Sequence, residues 1–294
     1  MPIKFQALGG GGLTELTIKT SSPNTTVTIT KENYSNTLVS DDTCLVTCKL
    51  TNGTYQVTAR SSDGKTAQKE IIIDDQEEVD LRITDQIKNL ALGAKLKFSN
   101  GRTFYLKAKN VSGHEANSAT FVSEFIIEDA NCHTYSYKSS DVYLKVLPKY
   151  YNELNSVEKN AVIYRKYQYY YRYRYGDGGR YFDDKYGDVE SYFYIMSDKE
   201  LGSSGTSTGT NLGFTNSASR IMRYQNGKVG GYWTRDGYYD SYIGREYMGC
   251  VETTGAFESL YVNNNLQSGV VPSVDLKGDI KCALDIDGYW IITE

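Results

Sequence analysis

Histidine is nearly missing from this 294-residue chain, with only His114 and His133 present. Each has one neighbour able to bind a metal, Glu115 and Cys132. Adjacent positions do not match the ligand spacings of a zinc site, so no metal and no cofactor is expected. A histidine catalytic base stays open, without a second residue in the sequence to support it. No apolar run reaches the roughly 18–20 residues that span a bilayer, which predicts no membrane insertion. A basic excess is missing too. The net charge is -4 and the pI about 5.4, and a general nucleic-acid partner needs a basic footprint. Met1 to Leu8 lacks the charged start and long apolar middle of a signal peptide, so any route to the outside is expected to be a different one.

Cysteine is sparse and odd in number: Cys44, Cys48, Cys132, Cys250 and Cys282. Four residues of extended chain separate Cys44 from Cys48 by about 13 Å. A disulfide tolerates at most about 7 Å between Cα atoms, so these two are not expected to pair. They read as small buried hydrophobes on one face of a strand. The chain therefore reads as made in a reducing compartment.

Tyrosine and glycine are abundant, at 27 each, and their distribution divides the chain. Residues 1–12 form a leader (Ile3, Phe5, Leu8) and a glycine joint, Gly9 to Gly12. The leader reads either as a strand added to a neighbouring subunit or as a frayed terminus. Residues 13–84 read as all-β, a small immunoglobulin-like sandwich serving as a docking or spacer domain. Val27 to Thr30 alternates apolar and polar residues. Asn52-Gly53 and Ser62-Asp63-Gly64-Lys65 each read as a hairpin turn. Residues 92–294 read as a larger, mixed α+β domain. It opens on a hairpin about Asn100-Gly101, followed by strands within 120–128. Helices are then expected from Ser140 to Leu147, over Lys149 to Ile163 behind Pro148, and after the capping-box pattern Ser197-Asp198-Lys199-Glu200. Strands and helices without a βαβ repeat favour α+β over a doubly wound sheet.

Eleven tyrosines with interleaved arginines lie within 164–194. Asp177, Asp183, Asp184 and Asp188 in the same tract count against stacked single-stranded nucleic acid. The alternation instead predicts a hairpin in which Tyr169, Tyr171, Tyr173 and Tyr175 share one face. That face is open to a glycan, a partner protein or an identical subunit, which makes a homo-oligomer an expected state. Further on, Trp233, Arg235, Gly269 and Pro272 read as an apolar frame. It encloses a displayed segment whose ligand-facing residues are expected to be Tyr238, Tyr239, Asp240, Tyr242 and Arg245. Tyrosine offers a large amphipathic contact at low entropic cost, and glycine lets loops adapt.

Two motifs look chemical without being so. Gly205-Thr206-Ser207-Thr208-Gly209 matches a nucleophile elbow, but it sits in a Gly/Ser/Thr loop, where a solvated loop is expected. Asp285-Ile286-Asp287-Gly288 starts like a calcium loop but lacks the downstream acidic ligand, so a β-turn is expected. Carboxylates are plentiful, yet no spacing singles out a glycosidase pair. No catalytic residues are assigned, and the chain is not expected to be an enzyme.

Two resemblances can be stated on these residues. Asn52 to Ala59 resembles the G-x-Y-x-V strand of PEGA-like and carboxypeptidase-regulatory modules. From about Leu92 onward the chain resembles a domain of unknown function common in clostridial prophage tail and cell-surface proteins. The resemblance is carried, in order, by the Leu96 to Leu106 hairpin, Ser140-Asp141-Val142, Leu154 to Val162, Phe193 to Leu201, Tyr232-Trp233-Thr234-Arg235 and Gly269-Val270-Val271-Pro272. The last two elements also look like those of C-type-lectin-like and formylglycine-generating-enzyme-like folds. Val271 departs from the family's usual Arg, and Asp236-Gly237 from its usual Ser/Thr-Pro. The resemblance implies a phage virion protein of the tail or baseplate, assembled in the host cytoplasm beside other virion proteins. Its implied role is receptor binding at the host surface, with a carbohydrate as the expected ligand. A decoration or assembly protein without receptor binding and a wall-degrading enzyme are the alternatives.

Overall fold

The computed structural model describes residues 13–62, 64–74, 78–112, 114–176, 179–204, 207–262 and 267–293. The expected leader and glycine joint lie outside them. The chain divides into two compact units. The first comprises residues 1–85 with 283–290, and the second 86–282 with 291–294.

The first unit is a sandwich of two sheets. Thr14–Lys19 lies between Leu45–Leu50 and Glu78–Asp80 in a three-stranded sheet. The four-stranded sheet runs Tyr34–Val39, Thr26–Lys31, Gly53–Arg60, Thr66–Ile73. Alternation sends Leu16, Ile18, Val27, Ile29, Tyr55, Val57, Ile71 and Val79 into one shared core. The Asn52-Gly53 turn does not make a hairpin. Leu45–Leu50 and Gly53–Arg60 belong to different sheets, so Thr51 and Asn52 carry the chain from one layer to the other. The Tyr55 hydroxyl donates back to the Thr51 carbonyl at 3.0 Å and braces that crossing. None of the five cysteines is in a disulfide.

The second unit is not the α+β, C-type-lectin-like domain expected for it. Among the described residues the structure is mostly strand, 51% against 11% helix, with three short α-helices, a β-sandwich-like class. The helix expected over Lys149 to Ile163 breaks in two, Leu147–Asn152 and Ser156–Ala161. Asn155 causes the break: its side chain accepts from the Glu158 amide, while Glu158 accepts from the Asn155 amide. That capping box starts a second helix where the first would have continued. Ser140 and Asp141 lead into a single π-helical stretch, Val142–Val146. The Ser197/Glu200 pattern makes its capping bonds, Glu200 N to Ser197 Oγ at 3.1 Å and Ser197 N to Glu200 Oε2 at 3.2 Å. Only a turn follows, closed by Gly202 at φ +89° with its amide on the Lys199 carbonyl, while the Glu200 carboxylate is also held by a buried arginine described below.

Two sheets carry this unit. In one, Phe193–Ile195, Pro272–Lys277, Ser118–Ser123, Thr103–Lys109 and Lys95–Lys97 lie side by side. In the other, Glu128–Asn131, Gln267–Val270, Tyr232–Asp240, Arg165–Tyr175 and Tyr181–Ser191 follow in order. Arg245–Val251 pairs with Tyr232–Asp240 and with Phe257–Tyr261. Val122 of the first sheet and Tyr232 and Val251 of the second share one apolar cluster with Leu201, Leu212 and Phe214. Phe98, Phe104 and Phe193 form an aromatic cluster, with ring centroids 5.3–6.3 Å apart.

A buried ionic cluster holds the first of these sheets to Arg165. Asp275 accepts from Thr120 Oγ1 at 2.7 Å, Tyr194 Oη at 3.2 Å and Arg165 Nη1 at 3.0 Å, and lies 2.9 Å from His114 Nδ1. Burial alone would raise the Asp275 carboxyl. The His114 hydrogen bond, the Arg165 charge and the Thr120 hydroxyl outweigh it and hold the carboxyl below its ordinary range. A depressed carboxylate stabilises the fold above its unfolded value of about 3.8 and loses that contribution as pH falls through the folded value. Asp275→Asn is expected to lose about 3–5 kcal/mol at neutral pH, because Arg165 is left buried and unpaired. Urea unfolding from neutral pH into acid should show the gap between wild type and Asp275→Asn narrowing only below about pH 4.

Candidate functional site

Tyr232–Asp240 is the strand on which the site is built. On one side it pairs antiparallel with Arg245–Val251. On the other its partner changes along its length: Tyr232 lies parallel to Gly269, and Gly237 to Asp240 lie parallel to Tyr171 to Arg174. Thr234, Arg235 and Asp236 lie between these two pairings, and the strand bulges against its antiparallel neighbour between Trp233 and Gly237. All three are buried. Trp233 Nε1 donates to the Ala130 carbonyl at 2.7 Å. Arg235, 1% exposed, donates to Gln168 O, to Ile195 O and, through both terminal nitrogens, to Glu200. Gly269 pairs with Tyr232, and Pro272 is buried opposite Ile195. Gly237 is required by close approach, since a Cβ there would collide with the Tyr135 carbonyl.

The tyrosine hairpin extends this sheet. Arg165–Tyr175 pairs with Tyr181–Ser191 from Arg165 opposite Ser191 to Tyr175 opposite Tyr181. Alternation gives it two unlike faces. On one, Tyr169, Tyr171, Tyr135, Tyr239, Tyr173, Tyr175 and Tyr181 form a continuous chain of ring contacts, with centroids 5.1–6.0 Å apart. Those rings largely satisfy one another, with Tyr169 buried and Tyr175 exposed at the end.

The other face carries Tyr170, Arg172, Phe182 and Tyr238. With Asp198, Ser203, Ser207, Asp236, Gly237, Gly249 and Ser259 they line a cleft of ≈ 410 Å³. Arg172 Nε meets Asp184 Oδ1 at 2.8 Å, and the Tyr170 hydroxyl donates to the same oxygen at 2.7 Å. The Arg172 side-chain hydrogen bond leads in holding Asp184 below its ordinary range. Deeper in, Asp236 Oδ2 accepts from the Asp198 amide and from the Ser207 hydroxyl, both at 2.6 Å. Burial, then the neighbouring Asp236 charge, pushes the Asp198 carboxyl up to about 8. The Thr234 hydroxyl is near enough to oppose that rise, although it completes no hydrogen bond of proper geometry. Asp236 is raised as well, first by burial, against the Ser207 hydroxyl, Arg235 and the Asp198 amide. With those groups favouring its charge, Asp236 keeps the negative charge and Asp198 carries the proton.

The five residues expected to face a ligand do not share one surface. Tyr238 lines the cleft, whereas Tyr239 points to the opposite face, stacked on Tyr135. Asp240 is 2% exposed and pairs with Arg174 at 2.9 Å, also accepting from the Tyr238 hydroxyl at 3.2 Å. Tyr242 is 60% exposed on the following turn. The Arg245 guanidinium lies 5.3 Å from the Tyr261 ring centroid. Sequence reasoning missed Asp198, Asp236, Ser207 and Arg172. One signal was present, a carboxylate at 236 inside a strand that begins Tyr232-Trp233. Ser207, assigned to a solvated loop, is buried against that carboxylate; Gly205 and Thr206 of the same motif lie outside the described residues. No three His, Cys, Asp or Glu side chains among the described residues converge as a metal cluster.

The chain matches no protein-family model and no curated protein.

The raised Asp198 carboxyl carries a sign of its own. A carboxyl raised on folding stabilises the fold fully below its unfolded value of 3.8, and that contribution is lost as pH rises towards the folded value of about 8. Urea unfolding of Asp198→Asn at a series of pH values should show a flatter decline than wild type between about pH 5 and pH 8. Parallel curves would remove the buried proton from the cleft.

Proposed function

We propose that the second unit is a binding module for a cell-surface carbohydrate, held in the cleft beside the tyrosine hairpin. The observation that carries this reading is the lining. The rings of Tyr170, Phe182 and Tyr238 stand beside Arg172 and the Asp198 and Asp236 carboxyls in one open cleft. Ring faces stack on the apolar face of a sugar, and a guanidinium fork and carboxyls bond its hydroxyls. A few convergent polar groups among aromatic walls are the usual makeup of a small-ligand site. The resemblance of 92–294 to a clostridial prophage domain supports a place on a phage tail or baseplate, where such a module would attach the particle to its host.

Sedimentation of the full chain with purified clostridial cell walls tests the reading. Tyr238→Ala and Phe182→Ala are each expected to weaken binding about tenfold, as anchor residues do. Tyr242→Ala, on the exposed turn, should leave it unchanged. Equal binding by all three variants would remove the cleft as the site. Sugar released from the walls would favour the degrading enzyme instead.

A second reading, self-association, rests on the hairpin edge. Tyr181–Ser191 is 11 residues long, and no strand among the described residues pairs with its outer side. Tyr181, Phe182 and Tyr186 are exposed along it. An unpaired edge of this length is a template for a second chain. Light scattering across a dilution series should reveal a concentration-dependent oligomer that Val189→Pro on this strand disrupts. A monomer at every concentration would end this reading.

A further inference from the structure

Three buried oxygens at the floor of the cleft complete no hydrogen bond: Asp198 Oδ1, Asp236 Oδ1 and Thr234 Oγ1. Thr234 is fully buried and Asp236 only 4% exposed. Buried polar atoms in native interiors are satisfied by protein, water or an ion, so each exception asks for an occupant. Apart from the Thr234 hydroxyl itself, which lies near the Asp198 carboxyl, the neighbouring donors bond elsewhere. Arg235 serves Glu200, Ile195 O and Gln168 O. Arg220 serves Gly255 O, Leu201 O and Ser217 Oγ. The Ser207 hydroxyl and the Asp198 amide are both spent on Asp236 Oδ2.

The oxygens also converge. A Cβ added at Gly249 would collide with Thr234 Oγ1 and lie 3.1 Å from the Asp236 carbonyl oxygen and 3.4 Å from Asp198 Oδ1. Only glycine at 249 leaves room for a hydroxyl, a carbonyl and a carboxyl oxygen on that side of the strand, and Asp236 Oδ1 belongs to the carboxylate whose Oδ2 holds the Asp198 amide. The set is all oxygen, carries two carboxyl groups and contains no nitrogen or sulfur.

We propose that Asp198, Asp236 and Thr234 bind a divalent calcium ion at the floor of the cleft. Hard oxygen donors select alkaline-earth cations over zinc or copper. Calcium accepts six to eight oxygens in irregular geometry, whereas magnesium demands a near-octahedral shell, so an uneven set of carboxylate, hydroxyl and carbonyl fits calcium better. Water entering from the cleft completes the shell. With only two carboxyl groups, one of which releases its proton to the solvent when the ion binds, the affinity belongs to the weaker class of calcium sites, roughly 10⁻⁴–10⁻³ M. The inference goes beyond the carbohydrate reading and stands without it, because the ion is measured with no sugar present.

The test uses the full chain, stripped with chelator and titrated with calcium chloride by calorimetry. Terbium titration with tyrosine excitation is the second readout, since Tyr170 and Tyr238 line the same cleft. Wild type is expected to show one weak site and sensitised terbium emission that calcium reverses. Asp236→Asn and Asp198→Asn should each weaken binding at least about tenfold, and Thr234→Val several-fold. Thr234→Val removes an oxygen at nearly constant volume, so it reports on the site should an aspartate variant fail to fold. No binding to wild type overturns the proposal, leaving the floor to water. Binding unchanged in both Thr234→Val and Asp198→Asn overturns it too, as an adventitious ion only.

Discussion

A buried guanidinium holds the second unit together. Arg235 is 1% exposed, and four of its hydrogen-bonding contacts reach three separate stretches: Gln168 in the tyrosine strand, Ile195 at the end of a strand in the other sheet, and Glu200 in the turn beyond. The fit has to be complete, because an uncompensated buried charge costs several kcal/mol. The same demand fixes the turn from Ser197 to Leu201. Its capping glutamate, 0% exposed, serves the Ser197 amide and the arginine together. The tyrosine rings at 167 and 194 close over the guanidinium, with centroids 5.3 and 5.8 Å away. Asp236 adjoins Arg235 and Asp198 lies two residues before Glu200, so the cleft floor inherits its position from this pair.

The hairpin divides labour between its faces. On one, seven tyrosines satisfy one another ring to ring, which supplies rigidity. On the other, Arg172, Asp184 and Tyr170 are tied by hydrogen bonds into a fixed polar wall. A recognition surface gains from such stiffness, because fewer rotamers are lost when a ligand arrives. Of the tyrosines expected in contact, Tyr238 lines the cleft and Tyr239 is stacked into the scaffold.

Period-two alternation made many of the strands legible. Val27 to Thr30 and Tyr169 to Tyr175 are strands because one face must be buried, and that need is written residue by residue. What alternation does not carry is the partner. Asn52-Gly53 has the composition of a hairpin turn, yet the core demands that Tyr55 and Leu50 close the sandwich from opposite layers. The helices failed for a related reason. Helical spacing over Tyr150, Leu154 and Val157 was real, but Asn155 offered a competing cap in the middle of it. The cleft residues were hidden because they are distant in sequence, with Asp198, Ser207 and Asp236 meeting only after the turn, the loop and the central strand are in place. Burying a carboxylate is a tertiary decision, and local pattern does not record it.

The change of partner along Tyr232–Asp240 bears on when the site comes into being. Gly237 to Asp240 lie parallel to Tyr171 to Arg174 across an intervening stretch that includes the hairpin return, a strand of the other sheet, a short helix and a small two-stranded ladder. Parallel contacts of that separation incur the entropy of closing a long loop before they gain anything from it, and so belong late in folding. The hairpin, by contrast, is local and can form early. Tyr170, Arg172 and Phe182 are therefore presented before Tyr238 and Asp236 arrive to face them. A chain that has reached its final register is the only form with a complete cleft.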